Sequence, residues 1–247
     1  MKARLIVLQT VFVFLFCSAF SSSVFAEIEL NIGLMHFPPF SDISDLENPK
    51  GVFIDMMLTS LDKAGIPHSK VKGYPPKRHY TFLGDGTTSF SIASKGVPYY
   101  DKSVIFSEKP VMAVKCLVMS LPDQPLPPAN PKEWTGKFIV ITGYSYGTLR
   151  ESLEQLEKAG RLSLLDAPAH ENLFKMLQAK RGQYALDYEG PTDKALKVVS
   201  IPGIQKRPLF SIDVFFTLHK DIPNAKDLMA RIEKAYQELD AQGKFKL

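Results

Sequence analysis

The chain has 247 residues, of which 45% are hydrophobic and 23% charged, with a formal net charge of +4. That length suits one large or two small domains, and a charge so close to neutral excludes a nucleic-acid-binding surface as the main business of the protein. Two cysteines, Cys17 and Cys116, leave little room for a disulfide framework.

The first element is a leader. Lys2 and Arg4 supply a basic start, Leu5–Phe20 is strongly apolar, and Val24-Phe25-Ala26 offers small residues to a signal peptidase. The segment reads as a secretory signal peptide, residues 1–26, cleaved after Ala26 and directing the chain to the periplasm; the alternative is an uncleaved anchor. Phe16 is too bulky for the small residue that a lipidation motif places before its cysteine, so Cys17 is not read as a lipid attachment point. The leader carries the two cations Lys2 and Arg4 and no acid, so the net charge falls from +4 to +2 on cleavage. No later stretch approaches the roughly 18 apolar residues of a membrane helix. Cys116, the one thiol that survives cleavage, sits in the largely apolar Val111–Met119 and is expected to be buried and inert.

Glu27–Met35 is rich in Ile and Leu and reads as a first strand. It runs into His36-Phe37-Pro38-Pro39-Phe40, where two prolines forbid helix and ladder bonding and stiffen a loop that presents two aromatic rings. A stiff loop suits a binding site because it loses little entropy when a ligand arrives. Gly51-Val52-Phe53 leads into a helix with Ile54, Met57, Leu58 and Leu61 on one face, and Gly65 ends it. Val71–Tyr74 is a second strand, Lys77–Gly84 a short helix after Pro75-Pro76, and Thr87–Ala93 a third strand. Strands separated by helical segments predict a mostly parallel sheet. Val97–Pro110 is a loop and short strand with paired tyrosines. Val111–Ser120 is a longer apolar strand, and the proline-rich Pro122–Pro131 is a surface excursion or linker.

Trp134–Leu156 organises the second half. Phe138–Thr142 is a β-branched strand, Gly143–Gly147 a glycine-bounded turn, and Leu149, Leu153 and Leu156 recur at helical spacing up to Gly160. Thr148 and Glu151 have the spacing of a capping box. A helix start carries unpaired amides with partial positive charge, and ligands of open α/β sheets collect at that edge. Then follow a strand at Leu162–Leu165, a helix at Glu171–Arg181, a strand at Tyr184–Asp187, a helix start at Pro191–Ala195 and a strand at Val198–Ile201. Leu209–Leu218 is strongly strand-like. Pro223–Gln242 is an amphipathic helix using Leu228, Ile232, Tyr236 and Leu239.

The half-chains resemble each other, each with a strand, a helix, a second helix and another strand, and long apolar strands lie at Val111–Ser120 and Leu209–Leu218. This pattern predicts an α/β protein of two lobes joined by two crossings, with the last helix returning to the first lobe. The expected divisions are 27–116 for the first lobe, 117–208 for the second and 209–247 for the return.

Taken in order, Gly33–Phe40, Gly51–Asp55, Tyr74–Arg78, Val104–Pro110, Trp134–Gly147 and Ala235–Phe245 resemble the type II periplasmic solute-binding proteins, in particular the family-3 group of polar amino-acid binders. The resemblance covers nearly all of the chain after the leader. It implies two lobes, each a mostly parallel sheet flanked by helices, that close at a hinge on a small polar or anionic, amino-acid-like solute. It also implies delivery to an ABC importer in many members and sensing in some. The family's carboxylate-clamping Arg, between the third strand and the FS-x-P element, is missing from SIASKGVPYYDKSVIFSEKP, where Lys95 is the nearest cation. A Lys is a point charge and lacks the bidentate fork of Arg. Ser89 stands where the family often has an acid.

Under that resemblance Phe37 and Phe40 wall the ligand, or else pack the lobe. Tyr74 heads the YPPKR stretch, and Arg78 is an anion contact or an exposed helix-surface cation. Lys95 and Tyr99 lie where the family clamps a carboxylate. Ser145 and Tyr146 lie in the turn that offers backbone amides. Asp187 is placed where the family often pairs a ligand amine, or else caps the next helix, and Tyr188 is positioned to stack beside it.

No metal or cofactor is expected, since His36, His68, His79, His170 and His219 have no chelate spacing. A competing reading exists. Gly143-Tyr144-Ser145-Tyr146-Gly147 has the spacing of the nucleophile elbow, and Asp187 and His219 follow in the order of an α/β-hydrolase triad. The preceding sheet is short for that fold and no HGGG-type loop is present, so a binding protein with no catalytic residues is expected first. The secreted serine hydrolase comes second, and a non-transport sensor or partner module is a further alternative. The expected partners are a small solute and an ABC permease or membrane sensor, and the chain is expected to be a monomer.

Overall fold

The computed structural model describes residues 28–45 and 47–245. The expected signal peptide, with Cys17, lies outside the described residues. The chain enters through parallel bridges from Leu30 to His68 and from Ile32 to Phe90. Strand β1 (Gly33–Met35) then pairs in parallel with β2 (Lys72–Tyr74). Between them runs α1 (Val52–Ala64), which buries Phe53, Ile54, Met57 and Leu61 and ends at Gly65 in the left-handed region. The expected first strand is shorter than its apolar run because only Gly33–Met35 finds a continuous partner.

Helix α2 (Pro76–Gly84) starts on a proline, whose missing N–H would have had no helical partner. Strands β3 (Phe90–Ser94) and β4 (Val104–Phe106) follow, then the long β5 (Met112–Ser120). Beyond the proline-rich stretch come β6 (Gly136–Ile141), α3 (Leu149–Lys158), β7 (Leu162–Ala167), α4 (His170–Gln178), β8 (Tyr184–Tyr188) and α5 (Glu189–Val198). Strand β9 (Gln205–His219) and α6 (Ala225–Ala241) close the order.

The larger sheet runs β3-β9-β5-β8-β6-β7, with β4 also on β9. Pairs internal to one side are parallel where a helix crosses between them: β1–β2, β6–β7 and β6–β8. Every pair made by β9 or β5 is antiparallel. This pattern follows from a two-lobed design. One lobe holds β1–β4, α1 and α2, the other β6–β8 and α3–α5, and β5 and β9 run through both.

The first part of β5 pairs with Ile212–Val214 of β9, and β3 covers the other edge of β9 from Val214 onward. The last part of β5, from Cys116, pairs with β8 on one side and with Gln205–Phe210 on the other. At the changeover the register slips between Cys116 and Leu117, which face Phe210 and Pro208, so Leu209 is the extra residue of a bulge.

Helix α6 returns to the first lobe. It lies on α1, with Lys63 Nζ 2.9 Å from Glu238 Oε2 and Arg231 donating to the Ala64 carbonyl at 2.7 Å. The proline-rich stretch is a surface excursion lashed to the second lobe. Arg207 donates to the Pro127 and Pro128 carbonyls at 2.7 and 2.9 Å, and the buried Trp134 indole donates to Pro128 at 2.7 Å.

Two sequence expectations fail locally. Val198–Ile201 is no strand, because α5 runs through Val198. Thr148 makes no capping bond: it is already helical in φ and ψ, so its hydroxyl does not reach back over the first turn.

Candidate functional site

The loop after β1 is closed by reciprocal backbone bonds between Phe37 and Ser41, at 2.8 and 2.9 Å. It holds Phe37 and Phe40 against the second lobe. Phe37 meets Tyr188 edge to face at 5.1 Å and Tyr144 at 5.8 Å between ring centroids. Phe40 stacks on Phe53 at 5.2 Å, and its ring rests on Gly190, where a Cβ would come within 2.6 Å of it. Beside this aromatic contact, Lys194 Nζ lies 2.6 Å from Asp42 Oδ2, tying α5 to the first lobe. That bond, with a second from Ser44, holds the Asp42 carboxyl well below the usual carboxylate range.

On the second lobe, Tyr144 leaves the β6–α3 turn and crosses to the first. Its hydroxyl donates to the His36 carbonyl at 2.9 Å and lies 3.3 Å from His170 Nε2. His170 Nδ1 in turn lies 2.7 Å from Asp187 Oδ2. The other oxygen, Asp187 Oδ1, accepts from the Tyr188 amide at 2.8 Å. Asp187 is fully buried, and burial pushes its carboxyl upward against the opposing pull of His170.

Two cavities follow the interlobe seam. The inner one is about 50 Å³ and is walled by Phe37, Tyr80, Tyr100, Tyr144 and Tyr188 over the floor strands β5 and β9. The outer one is about 380 Å³, lined by Tyr80, Tyr99, Ser145, Gly147 and Thr148 and by the charged Lys77, Arg150, Glu151 and Glu154. They share Tyr80, Tyr144 and Ser145, and the Tyr80 hydroxyl points to Met35 Sδ at 3.9 Å. The outer cavity falls within the roughly 300–1,000 Å³ typical of small-molecule sites; the inner one is smaller. A third cavity of about 800 Å³ lies between α3 and β9, with Lys95, Leu149, Leu156, Phe210 and Phe215 in its wall.

The residues singled out from sequence therefore divide. Phe37, Tyr188 and Ser145 border the inner cavity, and Ser145 and Tyr99 the outer one. Tyr99 is 61% exposed and stacks over Tyr80 at 6.1 Å. Phe40 supports Phe37, with ring centroids 5.1 Å apart. Asp187 acts on this region through His170 and Tyr144.

Tyr146 turns into its own lobe. At φ 48° it occupies the left-handed region, and its hydroxyl accepts from the Ile141 amide at 2.7 Å and donates to the Leu186 carbonyl at 3.0 Å. Tyr74 sits edge to face on Phe82 at 4.9 Å and Arg78 is exposed; neither lines these cavities. Lys95 belongs to the third cavity, with Nζ 4.1 Å from the centre of the Phe215 ring.

The α2 register explains Arg78. Its neighbours His79, Tyr80 and Leu83 take the inward positions, so the residue between Lys77 and His79 faces solvent. His79, Tyr80, Tyr144 and His170 are the site residues that the sequence pattern missed. Tyr144 and Tyr80 carried a signal, an aromatic beside a turn and beside a proline-started helix.

The hydrolase arrangement does not form. Asp187 bonds His170, and the His219 ring lies against Gly86 in the first lobe. The left-handed positions of the turn are Gly143, Tyr146 and Gly147, and Ser145 is not among them.

No protein-family model and no curated protein sequence matches the chain. Solved structures do. A histidine kinase sensor domain with similarity to periplasmic binding proteins superposes with a TM-score of 0.70 at 15% identity, over 88% of this chain and 92% of its own. The substrate-binding protein of an amino acid ABC transporter gives 0.65 at 19%, over 88% and 96%. A periplasmic binding protein of an arginine transport system from Legionella pneumophila gives 0.63 at 18%, over 88% and 96%. The chain thus has the two-lobed fold of the periplasmic binding proteins.

Proposed function

We propose that this chain is a solute-binding module of the periplasm that captures a small, amino-acid-sized solute between its lobes by hinge closure and makes no or breaks no bond in it. The observation that carries the reading is the seam itself. Tyr80 and Tyr99 from one lobe face Ser145, Gly147 and Thr148 from the other around a cavity of about 380 Å³, and among the described residues the two strands β5 and β9 join the lobes. A solute that touches both walls binds the closed form better than the open one, and shifts the equilibrium by that difference.

The hinge in this reading lies at the bulge opposite Cys116 and Leu117, close to the expected divisions at 116/117 and 208/209. Delivery to an ABC permease and presentation to a membrane sensor both use a closed, liganded module. The sensor domain among the structural neighbours keeps the second role in view. No helix of the described residues is long and apolar enough to cross a membrane.

A thermal-shift panel of amino acids, organic acids and small aromatic compounds tests the reading. At least one class is expected to raise the melting temperature in a concentration-dependent way. A flat response across the whole panel would count against a solute-binding role. Labelling of Ser145 by a fluorophosphonate probe would restore the hydrolase.

A further inference from the structure

The inner cavity has an unusual lining for a site that would hold a charged solute. No Lys, Arg, Asp or Glu borders it, and the nearest cleft charges, Lys77, Arg150, Glu151 and Glu154, all line the outer cavity. Of the four tyrosines that line it, Tyr100 and Tyr144 have their hydroxyls committed to protein carbonyls. Tyr100 donates to the Ser94 carbonyl at 2.8 Å, Tyr144 to the His36 carbonyl at 2.9 Å, and the Tyr80 hydroxyl has a long contact to Met35 Sδ at 3.9 Å. Asp187 is engaged with His170 and the Tyr188 amide. A buried ammonium or carboxylate here would have no counter-charge, which costs several kcal/mol for each ion.

One buried side-chain atom of this wall has no partner among the described residues: His79 Nδ1. His79 is 2% exposed. The Ser91 hydroxyl donates to the Gly33 carbonyl at 2.8 Å, so its oxygen is left to accept from His79 Nε2–H at 3.3 Å. That assignment makes Nδ1 a bare acceptor. Burial holds the ring neutral by lowering its pKa to about 3, so the acceptor persists at neutral pH. An unpartnered buried acceptor is worth explaining, and a donor on a ligand or a water would satisfy it.

We infer that the inner end of the cleft takes an uncharged aromatic ring bearing one N–H or O–H donor, received by His79 Nδ1 between the rings of Phe37, Tyr80 and Tyr188, and that any charged group on the solute stays at the mouth. This inference rests on the interlobe reading above and names the class of solute for that same site. The cavity of about 50 Å³ is smaller than such a ring, so binding one requires the Phe37 and Tyr188 rings, one from each lobe, to move apart far enough to admit it.

Matched probes test it: indole, 1-methylindole and L-tryptophan, measured by calorimetry and thermal shift on the processed chain. Indole is expected to bind roughly tenfold tighter than 1-methylindole, the worth of one buried hydrogen bond, and tighter than L-tryptophan. The His79→Phe variant should lose the preference for indole over 1-methylindole. Where that variant does not fold, the ¹⁵N resonance of His79 Nδ1 in the wild type serves instead, and is expected to move on adding indole.

L-tryptophan or L-arginine binding more tightly than indole would overturn the inference while leaving the interlobe site standing. Equal binding of indole and 1-methylindole, or an unmoved His79 resonance, would overturn it too. Silence of every amino acid, organic acid and aromatic compound would instead remove the interlobe site itself.

Discussion

The Tyr144 hydroxyl and the His36 carbonyl form a hydrogen bond of 2.9 Å that crosses from one lobe to the other. The tyrosine also lies within 3.3 Å of His170 Nε2, so one hydroxyl serves a carbonyl of the first lobe and a ring of the second. Tyr144→Phe keeps the ring packing against Phe37 and leaves both polar groups without that partner. A loss of about 1–3 kcal/mol is expected, together with a larger radius of gyration in X-ray scattering as the closed form loses a bond. An unchanged scattering profile would mean that this bond does not hold the lobes together.

Gly190 supports the same seam from the other side. A Cβ there would sit 2.6 Å from the Phe40 ring and 3.1 Å from Pro39 Cδ. The Phe40 ring is stacked on Phe53 and has little room to retreat. Gly190→Ala is therefore expected to force the lobes apart and cost about 1–3 kcal/mol. Scattering that matches the wild type would show that the ring yields instead.

The Lys194–Asp42 pair also spans the lobes, at 2.6 Å, and both side chains are partly exposed. Its contribution is correspondingly small, below about 1 kcal/mol, and screened by salt. Lys194→Met should shift the lobes toward the open form at low ionic strength and make no difference in molar salt. An effect that persists in high salt would point to packing rather than charge.

Burial lowers the pKa of His79 from the ordinary 6.5 to about 3. Between those values the unfolded chain binds a proton that the native chain refuses, so stability falls as pH drops, by about 1.4 kcal/mol per pH unit from this group alone. Above pH 6.5 both states are neutral here and the effect vanishes. Other groups titrate in the same range, so the informative quantity is the difference between wild type and His79→Gln. The wild type should lose stability more steeply by one proton; parallel pH profiles would contradict a buried neutral His79.

Cys116 is fully buried between β9 and β8, and burial pushes its thiol far above the ordinary range. Native protein should resist iodoacetamide at pH 8 and react only after denaturation. Rapid native labelling would mean that the strands at the hinge part readily.

The fold was largely legible because its elements are long and periodic. The apolar faces of α1 and α6, the β-branched runs of β5 and β6, and the turn at Gly143–Gly147 each read directly as what they became. Strand β9 was half read. Its expected span starts at Leu209, whereas the strand runs from Gln205 and passes through Pro208, which sits at the bulge beside Leu209, a place where a proline is tolerated.

The site was legible only in part, for a physical reason. Sequence marks a residue as polar or aromatic, while the cleft is set by helix register and by contacts between distant segments. One position along α2 separates exposed Arg78 from buried His79. Asp187 reads as a ligand acid until His170, 17 positions away, takes its oxygen.

Closure on a solute is the claim to measure. Spin labels at Lys102→Cys in the first lobe and Lys158→Cys in the second, with Cys116 buried and silent, report the interlobe distance by electron–electron resonance. With the panel compound that raises the melting temperature most, the distribution should shorten and narrow as the solute saturates. A distribution that stays the same while calorimetry records binding would contradict capture by hinge closure.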